Sequence, residues 1–151
     1  MKPNSQVLVV VVLILVVLAA GAAATLLLGM SNNRSAGGLP SGCVKPAEGF
    51  LVIASNRGYN DSVDHGVPEN PWPVITVNQG QQVNIAVCNT DVQAHGFQIT
   101  HYFDSNIESI APGQVIHVSF VADQAGDFQI YCSIFCSIHA FMQSGLLRVV
   151  A

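Results

Sequence analysis

The chain predicts an all-β sandwich or barrel behind one apolar amino-terminal segment. Three observations carry this. Short apolar stretches recur at a spacing of roughly 8–12 residues, with turn residues between them. Two of these stretches, Gln82 to Cys88 and Val115 to Val121, alternate with period two. No helical heptad, internal repeat or low-complexity tract stands beyond one Gly- and Ser-rich linker.

The elements follow in order. From Val7 to Met30 there is no charged residue, and Val, Leu, Ile and Ala dominate. About 20 apolar residues cross a bilayer, so residues 7–30 are expected to form a transmembrane helix. Lys2 places residues 1–6 in the cytoplasm by the positive-inside rule. A cleaved signal peptide is the competing reading, with Ala19 to Ala24 as its small-residue cleavage region. The apolar run resumes through Thr25-Leu-Leu-Leu-Gly-Met30, which favours a retained anchor. Residues 31–46 read as a linker. Residues 47–151 are short enough for one small domain. The expected location is therefore the cell membrane, single-pass, with the carboxy-terminal domain on the outer face.

Within that domain, Gly49 to Ala54 is apolar and β-prone, and Asn56 to Asn70 reads as a long polar loop. Pro73 to Val77 is a strand and Asn78-Gln-Gly80 its turn. In the next strand Val83, Ile85 and Val87 share one face, opposite Asn84 and Ala86. His95 to Ile99 reads as one alternating strand. Ala111 to Gln114 turns into the strand Val115 to Val121, and Ala125-Gly-Asp127 into Phe128 to Cys132. Gly145 to Val150 closes the chain. Phe97, Phe120, Phe128 and Tyr131 are expected in the core.

Composition excludes some functions. From Ser31 onward nine acidic residues face four basic ones (Arg34, Lys45, Arg57 and Arg148), a formal charge of −5. A nucleic-acid footprint would be basic, so no nucleic-acid partner is expected. Hydrolysis finds no support, because no Ser-His-Asp or paired-carboxylate arrangement stands out.

The chemistry concentrates near the carboxy terminus. Cys132-Ser-Ile-Phe-Cys136-Ser-Ile-His139-Ala-Phe-Met142 holds two thiols, an imidazole and a thioether. That soft donor set suits copper better than calcium or magnesium. A copper site in a β-sandwich needs one distant His and a Cys-His-Met cluster between the last two strands. His95 opens a strand, Cys132 ends the penultimate one, and Met142 precedes the last. Zinc or thiol redox chemistry is the unrelated alternative. Cys43 and Cys88 are the remaining cysteines; a bond between them and two separately buried thiols both fit the sequence.

These motifs resemble a known family. Asn89-Thr-Asp-Val, His95-Gly-Phe-Gln-Ile, Ile110-Ala-Pro-Gly-Gln, Phe120, Ala125-Gly-Asp-Phe-Gln-Ile-Tyr-Cys132, Cys136, His139, Met142, Gly145 and Val149 look like subunit II of haem–copper oxidases. The likeness covers roughly Pro73 to the carboxy terminus. The copper domain of nitrous oxide reductase is similar in the same motifs. The resemblance implies a cupredoxin-like Greek-key sandwich with a binuclear copper A centre. Cys132 and Cys136 would bridge the metals, His95 and His139 would be terminal imidazoles, Met142 a weak axial ligand, and Ile134 would offer its backbone carbonyl. It also implies subunit I as partner, with haem in that subunit only, further membrane subunits, and an electron donor protein or quinol. The chain would be an enzyme only as part of a terminal oxidase complex, with no oxygen chemistry of its own.

Spacing departs from the family in two places. The family has three residues between the second Cys and the His; here there are two. Aligned without a gap to Gly145, the family's His and Met positions fall on Ala140 and Gln143. The stretch Asp91 to His95 is one residue longer than usual. Ile134 also replaces an acidic residue that binds magnesium in many members. Two rivals therefore stay open: a mononuclear blue-copper site from His95, Cys136, His139 and Met142, and a copper-less structural domain of a quinol oxidase. His101 and His117 read as surface residues. Trp72 has no assigned role. Phe135 and Phe141 are expected to shield the site or to form an apolar docking patch, and Asp91 to cap the turn before His95.

Overall fold

β-Branched runs separated by Gly, Pro and Asn turns fold as expected into short strands. A computed structural model of the chain describes residues 38–60, 62–105 and 109–151. The expected transmembrane helix over 7–30, the residues before it and the first part of the linker lie outside the described residues. Among the described residues no helix is long and apolar enough to cross a membrane.

Two four-stranded sheets make the domain. In the first, β1 (Phe50–Ser55) lies between β2 (Gly58–Tyr59) and β4 (Gln82–Asn89), and β8 (Val115–Val121) pairs with the far side of β4. In the second, β10 (Gly145–Val150) lies between β3 (Val74–Asn78) and β9 (Gly126–Tyr131), and β6 (Gln98–Ile99) pairs with β9. β5 (His95–Gly96) and β7 (Ser109–Ile110) form a small separate pair. Consecutive strands cross between the two four-stranded sheets at β2 to β3, at β3 to β4 and again at β8 to β9. The first and last strands of the sandwich pair in parallel, β1 with β4 and β3 with β10; β4–β8 and β9–β10 are antiparallel.

The period-two faces meet in one core. Val52 and Ala54, Val83, Ile85 and Val87, and Val118 come from the first sheet. Ile75 and Val77, Phe128 and Ile130, and Leu147 and Val149 come from the second. Phe97 and Phe128 are buried as expected, whereas Phe120 and Tyr131 are only half-buried. Phe120 instead stacks on Tyr102, with ring centroids 4.7 Å apart.

Two expectations need correction. His95 to Ile99 is not one strand. The chain changes partner across Phe97: β5 pairs with β7, and β6 with β9. The polar loop Asn56 to Asn70 is not featureless either, because Gly58 and Tyr59 return along β1 as β2.

The cysteine question has a clear answer: Cys43 and Cys88 form a disulfide, and Cys132 and Cys136 are free. The bond ties the entering chain to the buried end of β4. Their sequence separation is 45. Cross-linking over such a loop removes enough denatured-state entropy to stabilise by about 4 kcal/mol. Replacing both with Ser is expected to lower unfolding free energy by roughly that amount, as read by urea denaturation. A loss that stays below about 1 kcal/mol would show that the tether does not constrain the denatured chain.

Candidate metal centre

The thiol loop is held between two adjacent antiparallel strands. β9 ends at Tyr131 and β10 begins at Gly145, so the intervening loop must return on itself. Its base is closed by the Cys132 N–H, which donates to the Met142 carbonyl at 2.8 Å. A 3₁₀ turn over His139–Met142 completes it. Gln143 turns its amide back and donates to the carbonyls of Cys132 (3.0 Å) and His139 (3.1 Å).

From the other side, the 56–70 loop packs on this turn. A Cβ at Gly66 would collide with the carbonyl of Phe141, so only glycine lets the two loops approach so closely. Gly66 also has φ +76, the left-handed region that favours glycine.

His95, Cys132 and Cys136 come together, all buried, with their donor atoms within 4.8 Å of one another. Met142 is fully buried and its sulfur lies 4.0 Å from the Cys136 sulfur. The Ile134 carbonyl oxygen lies 3.0 Å from the Cys132 sulfur. His139 stands outside the tight group and is half-buried. Its Nδ1 lies 3.0 Å from the same Ile134 carbonyl. Three of the six expected donors, His95, Cys132 and Cys136, thus form one group; Met142 and the Ile134 carbonyl each touch one of its sulfurs, and His139 reaches the Ile134 carbonyl and the Cys132 sulfur.

His95 is oriented by a carboxylate. Its Nε2 lies 2.9 Å from Asp91 Oδ2, and both side chains are almost entirely buried. A proton on Nε2 therefore leaves Nδ1 with a lone pair, the usual arrangement behind a metal-bound imidazole. Nδ1 is buried and makes no hydrogen bond of ordinary geometry, its interaction being with the Cys132 sulfur. A buried imidazole nitrogen beside two free thiols is an arrangement that a soft metal ion would satisfy. The site therefore fits a soft metal ion held by imidazole and thiolate. Asp91 also caps the turn, accepting the Val92 N–H at 2.6 Å. The sequence suggested that role but not the second one. The signal for the second was its place four residues before His95.

The titration behaviour of the group follows from burial and hydrogen bonding. Burial disfavours the Cys132 thiolate, but His95, the Gly96 N–H and other neighbours outweigh it and hold the thiol down to about 7. The neighbouring Cys136 is pushed up to about 11 by burial, then by the negative charge on Cys132. Burial disfavours the His95 imidazolium, yet Cys132 and Asp91 shift its pKa above the ordinary value. Tyr59, fully buried nearby, is raised well above its ordinary value by burial and by the two thiolates.

The remaining expectations divide. His117 is exposed on β8. His101 is exposed and pairs with Asp123 at 3.4 Å, far from any donor group. Phe135 is 90% exposed, so it does not shield the site. Its ring instead lies 5.7 Å from that of His139. Phe141 is 46% exposed and Val92 86%. Tyr59 and Gln143 are not marked in the sequence, since a Tyr in a polar loop and a Gln after Met carry no signal by themselves.

No family model matches the chain. Over 76 residues, 48% of the chain, it is 37% identical to a nitrous-oxide reductase of Pseudomonas fluorescens. Over 64 residues, 40% of the chain, it is 38% identical to the nitrous-oxide reductase of Stutzerimonas stutzeri. The matches cover 12% and 10% of those two proteins, so the chain spans only a small part of the relatives' length. Among solved structures, a multicopper oxidase superposes with a TM-score of 0.55 at 19% identity, over 67% of this chain and 41% of that one. The copper nitrite reductase of Nitrosomonas europaea gives 0.53 at 24%, over 68% and 41%. Auracyanin from Roseiflexus castenholzii gives 0.51 at 18%, over 68% of this chain and 97% of that one. These likenesses are of fold: the described domain is an all-β, cupredoxin-like sandwich.

In the metal-free protein, ultraviolet thiolate absorbance is expected to rise in two steps, one near pH 7 and one near pH 11. Cys132→Ser is expected to remove the first step. A single step at the ordinary thiol value would show that His95 and Gly96 do not hold Cys132 down.

Proposed function

We propose that this domain is a copper electron-transfer module, serving as subunit II of a membrane-bound haem–copper terminal oxidase. The observation that carries the copper reading is the buried group of His95, Cys132 and Cys136 with His95 Nδ1 turned to the Cys132 sulfur. The similarity to nitrous-oxide reductases over nearly half the chain supports a copper A-type centre. The subunit assignment rests on the sequence motifs and on the apolar segment 7–30.

In this reading Cys132, Cys136, His95, His139, Met142 and the Ile134 carbonyl would hold the copper. Bound there, a thiolate-bridged copper pair supplies a one-electron carrier whose charge is spread over soft sulfur. The protein does the rest. Asp91 keeps the proton of His95 on Nε2. The sandwich core excludes water from Cys132, Cys136 and Met142. The β9 and β10 strands anchor both ends of the loop, so its donors move little when charge changes. Electrons would arrive from a donor protein or quinol at the exposed Phe135 and Phe141 and leave towards haem in subunit I, on the outer face of the membrane.

The full chain, purified with its two free thiols in the reduced state and then loaded with copper, should take up two coppers and, in the one-electron-oxidised mixed-valence state, show a seven-line hyperfine pattern in electron paramagnetic resonance. Cys136→Ser should abolish that pattern. Four lines from the native chain would mean a single blue copper. No copper uptake would leave the structural, copper-less role in a quinol oxidase.

A further inference from the structure

The Cys132 sulfur has a neighbour on the side away from its own loop. The Gly96 N–H donates to it at 3.2 Å. Gly96 in turn is held from behind: the Tyr59 hydroxyl donates to the Gly96 carbonyl at 2.9 Å. Tyr59 is fully buried, and its ring meets Phe97 edge-on at 5.9 Å. Gly96 has no room to slide. A Cβ there would collide with Ser133 Oγ, and would lie 2.7 Å from the Ser133 nitrogen and 3.0 Å from that of Ile134. The glycine backbone is therefore pressed against the thiol loop on one face and tethered by a phenol on the other.

We propose that Tyr59 is a positioning residue for the metal-binding sulfur of Cys132, acting through the backbone of Gly96. The inference rests on the copper reading of the site. By fixing Gly96, Tyr59 sets the length and direction of the N–H···S hydrogen bond. That bond draws electron density from the sulfur. A less electron-rich thiolate donates less to an oxidised metal, which raises the reduction potential. Phenylalanine would fill the same space but leave the Gly96 carbonyl buried without a donor, freeing the glycine to shift. Among the described residues Tyr59 is the side chain that bonds the Gly96 carbonyl, adding a tether to the β5–β7 pairing at Gly96 and Ser109.

The test is Tyr59→Phe in the full, copper-loaded chain. The expected result is unchanged copper content, a lower midpoint potential, and a sulfur-to-copper absorption band moved to longer wavelength. Val83→Ala, in the sandwich core, is the stability control: it should lower the unfolding temperature and leave potential and band in place. Equal shifts in both variants, or no shift in Tyr59→Phe, would overturn the proposal. Should Tyr59→Phe not fold, Gly96→Ala decides: it keeps the phenol but drives the glycine off Ser133, and an unmoved potential would equally overturn it. If the native chain shows no copper band at all, the copper reading fails separately. The relay is then decided in the metal-free protein, where Tyr59→Phe should speed hydrogen exchange at the Gly96 amide. Unchanged exchange there would sink it.

Discussion

The thiol end of this sandwich is governed by one constraint: polar atoms carried into an apolar core must find partners there, because water does not reach them. Asp91 is buried, so its carboxylate bonds the Val92 N–H and the His95 ring. Asn89, also buried, satisfies the carbonyls of Gln93 and Ile110 and accepts the Asp91 N–H. The turn between β4 and β5 is thus a chain of paired groups that ends on one imidazole. Among the described residues, three buried side-chain atoms escape this pairing: His65 Nδ1, His95 Nδ1 and Ser133 Oγ. Two of them belong to the thiol site. The imidazole nitrogen that this core leaves beside two free sulfurs is one that a soft metal ion would engage.

Rigidity follows from the same arrangement. His95 is fixed through Asp91, while Cys132 is fixed by β9 and by its N–H bond to Met142. The disulfide pins Cys88, one residue before Asn89, to the entering chain. A redox centre changes charge by one electron, and donors that cannot relax keep the accompanying rearrangement small. The shifted thiols report the same geometry in another form. Cys132 is held near neutrality by its hydrogen bonds, and its charge in turn pushes Cys136 up. A pair that repels a second negative charge when empty is one that a cation would discharge, since ligating thiols must lose their protons.

Much of this was legible in the sequence, for identifiable reasons. β4 and β8 are stretches that alternate with period two, and β3 and β10 are short apolar stretches beside turn residues, and such stretches report their own burial. The donors of the thiol loop were legible because Cys, His and Met seldom cluster by chance. What was hidden depended on contacts between distant segments. The break at Phe97 arises because Gly96 must lie against Ser133 and Ile134, thirty-odd residues away. β7 is only two residues long and exists because His95 and Gly96 need partners. Tyr59 lies in a loop that looks solvated by composition, yet its ring is wholly enclosed. Phe135 failed in the opposite sense: an aromatic beside ligands suggests a shield, but the loop turns it outward.

The two-residue spacing between Cys136 and His139 is the sharpest departure from the oxidase pattern that the motifs resemble, and the loop there is tightly turned. A gapless alignment to Gly145 would place Ala140 and Gln143 inward. Instead Ala140 is exposed, Met142 is fully buried, and Gln143 is turned back onto the carbonyls of Cys132 and His139. The turn over His139–Met142 is 3₁₀ rather than α. A 3₁₀ turn advances about 2.0 Å per residue against about 1.5 Å for an α-helix, so residues in that form reach further. It also eclipses residues three apart, which sets His139 and Met142 on one side of the turn. The same register leaves Gln143 beyond the turn's end, where carbonyls lack partners, and its two amide hydrogens meet two of them. The spacing and the glutamine therefore work together: the loop turns tightly, keeps Met142 buried, and is clamped by the Gln143 side chain.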